Sequence, residues 1–440
     1  MRAVLAQLSA LLLSVGLIQL GHGAFGSFLG LRADLEGFPT TLIGVLGSAF
    51  YLGTILGTLR TPALINRIGH IRAFAAFAAI SAAAVMVYPL FIDPYVWIGL
   101  RVVFGFSLCA MAIVGESWLN NRSTNETRGT MLSIYMMVSF LAIGLGQLAL
   151  NIGDPSGTQL FLIVALCLVL AVVPVAVTRS THPDPVTSSH FGMRRLYEIS
   201  PGAVIACIGS GLVTGAYFGM AAIYARQIGL SVAEISVFMG TLMVSGLLLQ
   251  LPIGRLSDIV DRRWVIVGTC LGTGASGAAM TFLSPADWWL FLAVTALFGG
   301  LAACIYPLAI AHANDFIEPH DLVPASGGLV LCYGVGAIAG PLSAAWTMEL
   351  IGPAGIFIFT SITCVAIVTF TLYRSTRRKL LPTVEKDPYV PLPDAVSMPV
   401  SSDVDPRAME YFEPQDVGPP TPDDAAEAEN AAVAGAKSTP

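Results

Sequence analysis

Arg101 stands out chemically because it interrupts an apolar stretch, 94–119, whose only other charged residue is Glu116. A guanidinium in such a stretch can bind the carboxylate or phosphate of a solute or take part in moving a proton. A charged residue inside a membrane is costly, so it is a functional candidate by default. Glu116 follows about 22 Å further along a helix and is too distant to pair with it. The alternative is an arginine whose hydrogen bonds go to backbone carbonyls and a glutamine side chain.

Several uncharged polar side chains also fall in apolar stretches. Gln19 and His22 lie in the first of these, and a histidine titrates near neutral pH, although a lone histidine among glycines is equally well explained by packing. Some polar residues must line a cavity because polar groups that face lipid are penalised, whereas others form interhelical hydrogen bonds or lie at the membrane interface. The further candidates are Tyr51, Tyr135, Gln147, Tyr217, Gln250, Tyr306 and Tyr333.

The sequence offers no set of residues suited to catalysis or metal binding. Its seven cysteines lack metal-ligand spacing, and no nucleophile–base arrangement or Walker loop is present. The segment Gly21–Gly26 fits G-x-G-x-x-G, but no strand precedes it, so small-residue helix packing is the better interpretation. We therefore expect no enzyme activity, no metal, no cofactor and no nucleic-acid partner.

Composition indicates where these residues must lie. Of the 440 residues, 55% are hydrophobic and only 11% are charged, against about 25% charged in soluble domains. The mean hydropathy is +0.75. Too few charges are present to cover a water-exposed surface, so the sequence predicts an all-α polytopic membrane protein whose main partner is the lipid bilayer.

Stretches without charge predict the membrane helices, since about 20 apolar residues cross the hydrocarbon core. Eleven such windows have 20 or more residues, and the segment 94–119 adds a twelfth helix. The windows are 3–31, 37–59, 73–92, 129–153, 155–178, 199–225, 235–254, 264–286, 288–314, 322–348 and 350–373.

Basic residues predict the orientation, because positively charged loops stay cytoplasmic. With twelve spans and a cytoplasmic N-terminus, 16 arginines and lysines up to Lys379 fall on the inner side, whereas only Arg32 and Arg226 fall on the outer side. We expect both termini in the cytoplasm and the protein in the inner (plasma) membrane.

The chain divides into two similar halves. The sequence predicts an N-terminal six-helix bundle over 1–178, a cytoplasmic linker over 179–199 and a C-terminal six-helix bundle over 200–379. The polar loops after the second and eighth helices are offset by 192 residues, and Gly146 and Gly340 by 194. Two parallel repeats of this kind place a cavity between them near the middle of the bilayer. Residues 380–440, with a net charge of −9 and 11 prolines, are predicted to form a disordered acidic cytoplasmic tail; a docking role is the alternative.

The repeated loops carry a family resemblance. Six plus six helices with a basic loop after helix two and again after helix eight resemble the major facilitator superfamily, whose loop pattern is close to G-x-x-x-D-R-x-G-R-R. The helix-four arginine of that family matches Arg101, and Glu116-Ser-Trp118 followed by Arg128-Gly129 resembles its YcaD-like branch. The loop residues that fit or replace the pattern are Asn66, Arg67, Gly69 and Arg72 in the first copy and Gly254, Asp258, Arg262 and Arg263 in the second.

The resemblance implies roles for these residues. In the family an acid at the position of Glu116 pairs with loop arginines and holds the outward-facing state, which makes Arg67 and Arg72 its expected partners. Asp258 with Arg262 is the expected counterpart, and simple loop-to-helix salt bridges are the alternative. The family's antiporter motif places Gly-Pro in helix five, where this chain has Gly146-Gln147, which argues against drug/proton antiport.

The predicted function is secondary active transport of a small organic solute by alternating access, driven by a proton or other ion gradient. Arg101 without an acidic partner favours an anionic solute. A drug or metabolite efflux antiporter and a transporter-like receptor or regulator are the alternatives. We expect a monomer.

Overall fold

The computed structural model describes residues 2–122, 125–177, 193–317 and 322–375, and helices account for nearly all of them. The predicted tail, 380–440, and most of the predicted linker lie outside the described residues. The helices are α1 (Arg2–Leu35), α2 (Thr40–Ile68), α3 (His70–Val87), α4 (Pro94–Arg122), α5 (Asn125–Leu148), α6 (Gln159–Leu170), α7 (Val172–Val177), α8 (Met193–Ile199), α9 (Pro201–Gln227), α10 (Val232–Ile259), α11 (Arg262–Met280), α12 (Trp288–Asn314), α13 (Leu322–Ile351) and α14 (Gly355–Ser375).

Within the described residues, 11 helical segments are long and apolar enough to cross a membrane, with α6 and α7 forming one of them. The helix α11 supplies the twelfth position of the predicted set. It begins with two arginines and is rich in glycine, serine and threonine, so it is less apolar than the others, yet it packs between α12 and α14. The short helix α8 lies within the segment predicted as a linker.

Local signals begin and end the helices. The Ser231 hydroxyl accepts a hydrogen bond from the Glu234 amide, and the Glu234 carboxylate accepts one from the Ser231 amide, which forms a capping box at the start of α10. Asp261 caps α11 by accepting a hydrogen bond from the Arg263 amide at 2.9 Å. Gly69 adopts a φ of 86° between α2 and α3, a conformation that favours glycine.

The two halves repeat the same close helix crossing. Glycines of α1 and α5 press against each other's backbone, so that a Cβ atom at either position would clash, and α9 crosses α13 in the same way. The contact residues of α1 and α9 are 192 residues apart in the chain, and those of α5 and α13 are 194 apart. These are the repeat offsets found in the sequence. The pairs are Gly23 with Ile143 and Gly146 with Leu20 in one half, and Gly215 with Ala337 and Gly340 with Leu212 in the other.

The halves meet closely at the end of the bundle where α1 and α9 finish. An ion pair joins Asp34 to Arg226, and the Thr41 amide donates to the Glu349 carboxylate at 2.9 Å. Pro341 of α13 fits against two glycines, since a Cβ atom on Gly47 or Gly219 would lie 2.9 Å or 2.8 Å from the proline ring. This end of the bundle is closed.

Candidate functional site

A cavity lies among α1, α2, α4, α5 and α9, and the space inside it together with the open solvent at its mouth amounts to about 420 Å³. Four residues singled out in the sequence, His22, Tyr51, Arg101 and Gln147, line it together, which places the polar groups of four helices around one space. Most of the remaining wall is glycine and aromatic rings. The lining residues are His22, Gly23, Gly26, Ser27, Gly47, Phe50, Tyr51, Arg101, Ile143, Gln147, Phe218 and Gly219.

Arg101 is the charged group of this cavity. Its side chain is 7% exposed and lies over three aromatic rings, with the guanidinium carbon 4.8 Å from the centre of Phe50, 5.3 Å from Phe25 and 5.5 Å from Phe104. Each cation–π contact contributes about 0.5–2 kcal/mol, which offsets only part of the cost of burying a charge. Its Nη1 atom is buried and has no hydrogen-bond partner among the described residues. The site therefore holds a cation that an anion would satisfy.

The crossing of α2 and α4 positions this group. A Cβ atom at Gly105 would clash with the Phe50 carbonyl, and one at Gly53 would clash with the Val102 carbonyl, so the two backbones are in direct contact. This approach is possible only because both helices have glycine there. It brings the Phe50 ring over the guanidinium of Arg101, one turn from Gly105.

His22 and Gln147 face the same space from α1 and α5. The His22 ring stacks on Phe50 with a centroid distance of 5.2 Å and an interplanar angle of 18°. Gln147 Nε2 donates to the Gly23 carbonyl at 2.8 Å, whereas its Oε1 is buried without a partner in the part of the chain that the structure describes. Gln147 thus fixes α5 against α1 and leaves one acceptor for a bound molecule.

The other predicted cavity residues are buried elsewhere. Gln19 is buried on α1 and does not line the cavity. Tyr217 is buried next to Phe218, which does line it, and Tyr306 packs on Tyr333 with ring centroids 4.6 Å apart. The structure therefore brings together four of the predicted residues of the first half, leaves Gln19 outside the cavity, and packs Tyr217, Tyr306 and Tyr333 into the second half.

The second loop copy forms the expected contact and extends it. Arg262, which is 1% exposed, donates to Asp258 at 3.2 Å and forms an ion pair with Asp315. It also donates to the Ala311 carbonyl at 2.8 Å. Asp315 was not predicted, because it lies 53 residues further along the chain. Gly254 accepts a hydrogen bond from the Ser257 hydroxyl at 2.7 Å.

Within the described ranges, the first loop copy lacks the ion pair to its helix-four acid that the family resemblance implies. Glu116 is buried, whereas Asn66, Arg67 and Arg72 are exposed. Among the described residues no ion pair joins Glu116 to Arg67 or Arg72. The pairing implied by the resemblance is thus not seen here.

Sequence reasoning missed two groups of residues. Phe25, Phe50 and Phe104 surround the guanidinium, but aromatic residues in apolar helices are usually packing residues, so no signal marked them. Asp34 and Arg226 join the two halves, and a signal existed: they are 192 residues apart, the repeat offset, and have opposite charges.

Comparisons with known proteins agree with this architecture. The family model of the Major Facilitator Superfamily matches residues 11–224 and 199–402. The chain is 30% identical over 344 residues to the "Uncharacterized MFS-type transporter YcaD" of Salmonella heidelberg (strain SL476), covering 77% of this chain and 88% of the relative. It is also 30% identical over 316 residues to the protein of the same name from Salmonella paratyphi A (strain ATCC 9150 / SARB42), covering 71% and 81%.

Solved structures show the same fold. The nucleoside transporter NupG superimposes with a TM-score of 0.69 at 13% identity, covering 86% of this chain and 100% of that one. An inward-facing, occupied bacterial homologue of the human lysosomal transporter Spinster gives a TM-score of 0.69 at 13% identity, covering 86% and 97%. The matched family consists of membrane transporters and not enzymes, as the sequence predicted, and the YcaD relatives confirm the resemblance to that branch. The chain belongs to the Major Facilitator Superfamily.

Proposed function

We propose that this protein is a secondary active transporter of a small organic anion and that Arg101 binds the anionic group. The observation that carries this proposal is the buried Nη1 atom of Arg101, which has no hydrogen-bond partner among the described residues. A carboxylate can accept two parallel hydrogen bonds from a guanidinium, an arrangement that a neutral solute does not offer. No carboxylate lines the cavity from the described residues, so a solute would supply the counter-charge.

The cavity walls favour a solute with an apolar body. Phe50 and Phe218 present rings, and the glycines present a backbone that a flat molecule can approach closely. The free acceptor of Gln147 Oε1 would receive one hydrogen bond from a donor on the solute. These groups fit an organic acid with one further polar group better than an inorganic anion.

The closed end supports transport by alternating access. The excess of 16 basic residues over two supports the orientation with both termini in the cytoplasm, in the inner membrane. In that orientation the end closed by Asp34, Arg226 and Pro341 faces outward, so the cavity is closed toward the outside in this conformation. The two six-helix halves would then rock about the cavity between them.

Proton coupling rests on the neighbourhood of His22 and Arg101. Both rings that stack with His22, Phe50 and Phe104, also lie under the guanidinium of Arg101. A proton on His22 would place a second positive charge there, and a bound anion would compensate it. Anion and proton would therefore bind together and move in the same direction.

A ligand screen on the purified protein tests the anion site. Benzoate and phenylacetate are compared with their neutral amides and with uridine, and the melting temperature is measured for wild type and Arg101→Gln. We expect acids but not amides to stabilise the wild type, because only acids satisfy the guanidinium, and we expect no stabilisation of the variant. Equal stabilisation by an acid and its amide, or of Arg101→Gln and wild type, would contradict the assignment.

A further inference from the structure

Ser27 of α1 lines the central cavity together with Arg101 and Gln147. Its side chain is 2% exposed, and its hydroxyl has no hydrogen-bond partner among the described residues. A buried hydroxyl that lines a binding cavity and has no partner is a group that a bound molecule can satisfy. Unpaired hydroxyls that do not line this cavity occur at Ser14, Ser139 and Ser210.

Two other buried serines show the hydrogen bond that Ser27 lacks. The Ser81 hydroxyl donates to the Phe77 carbonyl at 2.8 Å, and the Ser48 hydroxyl donates to the Gly44 carbonyl at 3.0 Å. In both cases the acceptor lies four residues back in the same helix, which is a common partner of a serine inside a helix. Ser27 does not form this bond, although α1 continues on both sides of it.

The acceptor that Ser27 would use is already occupied. The residue four positions before it is Gly23, whose carbonyl accepts a hydrogen bond from Gln147 Nε2 at 2.8 Å. In an α-helix the same carbonyl also accepts the backbone N–H of Ser27, and a carbonyl oxygen has only two lone pairs. The bond from α5 to α1 therefore takes the place of the serine's own bond and leaves the hydroxyl for another partner.

The same contact brings a second unpaired group close to Ser27. Gln147 Oε1 is buried and, like Ser27 Oγ, has no partner within the described ranges, so the two atoms do not bond to each other. Ser27 and Gly23 are one turn apart on the same face of α1, and Gly23 holds the Gln147 amide. A hydroxyl can donate, whereas an amide oxygen only accepts. The cavity wall thus presents one donor and one acceptor around the Gly23 carbonyl.

Gly26 leaves room for a ligand group at this position. A Cβ atom built at Gly26 would meet nothing within 4 Å, although the residue lines the cavity. Other glycines of the wall differ, since a Cβ atom on Gly23, Gly47 or Gly219 would clash with a neighbouring helix. Packing does not require a glycine at position 26, and the missing side chain keeps the cavity open next to Ser27.

We propose that Ser27 and Gln147 together bind a hydroxyl group of the solute, in the space beside Gly26. The solute hydroxyl accepts a hydrogen bond from Ser27 Oγ and donates one to Gln147 Oε1, so a single group satisfies both atoms. The inference rests on the proposed function, in which Arg101 binds the carboxylate. It narrows the solute to a hydroxylated organic acid.

Binding of matched compounds to the purified full-length protein tests this hydroxyl site. Benzoate and benzamide are each compared with their 3-hydroxy and 4-hydroxy derivatives, and dissociation constants are measured by ligand-observed NMR titration for wild type, Ser27→Ala and Ser81→Ala. We expect one hydroxy isomer to bind wild type about 2- to 12-fold more tightly than its parent, the gain of a typical neutral hydrogen bond. Ser27→Ala should lose this gain, because it removes the donor.

Ser81→Ala is the matched control, since it removes a buried helix hydroxyl that bonds to its own helix outside the cavity. It should retain the gain, and melting temperatures without any compound establish that both variants fold. Equal affinity of wild type for parent and hydroxy compounds, an undiminished gain in Ser27→Ala, or the same loss in both variants would overturn the inference. The amides separate it from the proposed function. If the hydroxyl gain persists while acids bind no better than amides, the hydroxyl site stands and the anion site at Arg101 does not.

Discussion

Arg101 has no acidic partner within the described ranges, which is uncommon for a charge at membrane depth. Three rings supply attraction to the cation but cannot accept directional hydrogen bonds from all of its N–H groups. The arginine was predictable from sequence because it interrupts an apolar helix. Its ring environment was not, since the rings come from three helices and only the fold brings them together.

Replacing Phe50 with leucine tests the contribution of one ring. Phe50→Leu keeps an apolar side chain but removes the closest cation–π contact, so binding of a stabilising carboxylate should weaken about 2- to 30-fold, corresponding to about 0.5–2 kcal/mol. The measurement is the carboxylate concentration that gives half of the maximal rise in melting temperature. Phe77→Leu is the control, because Phe77 is buried on α3 against Phe106 and contacts no cation among the residues that the structure describes. Equal effects of the two variants would show that the ring acts through packing alone.

Helix crossings that depend on glycine determine how closely the elements approach. The sequence predicted the positions of the membrane helices because gaps between charges report directly on burial in lipid. The repeat offsets of 192 and 194 residues, which are visible in the sequence, also relate the glycines at the α1–α5 crossing to those at the α9–α13 crossing. The sequence did not indicate that Pro341 lies against Gly47 and Gly219, because a contact between distant helices leaves no local pattern.

Gly47→Ala should shift the protein away from the conformation described here. The added methyl group would lie 2.9 Å from the Pro341 ring, which is too rigid to yield easily, so the closed end should open more often. Spin labels on cysteines introduced at the exposed residues Leu35 and Ile351 would report this as a longer distance distribution. Gly99→Ala, whose Cβ meets nothing within 4 Å, should leave the distribution unchanged. A shift in neither variant would refute the role assigned to Pro341.

The Asp34–Arg226 ion pair should stabilise the closed end less than the packing of Pro341 does. The Arg226 and Asp34 side chains are 36% and 23% exposed, so their pairing is worth about 0.2–1 kcal/mol, or up to about fivefold in the ratio of the two conformations. Asp34→Arg and Arg226→Asp should each open the end between the same spin labels, and the double variant should restore closure. Additive effects in the double variant would mean that the two charges act independently.

The whole molecule combines two similar halves with a charged cavity residue, Arg101, that belongs to the first half. The repeat was predictable because the two loop copies and the glycines recur at nearly constant offsets. The closed end was not predictable, since the sequence pattern does not indicate which helix ends of the two halves come together. Asp34 and Arg226 occupy equivalent positions of the two halves, so their contact lies where the halves approach each other around the cavity.

Uptake of labelled carboxylates into proteoliposomes tests most directly whether Arg101 makes this protein an anion transporter. Wild type, Arg101→Gln and Arg101→Lys are reconstituted, and uptake of the acids that stabilise the purified protein is followed with and without a proton gradient. We predict gradient-driven uptake by wild type and at least a tenfold loss in both variants, because lysine cannot reproduce the bidentate geometry of a guanidinium. Undiminished uptake by Arg101→Gln would contradict the anion site. Binding of the acids without any uptake by wild type would contradict transport and favour a receptor.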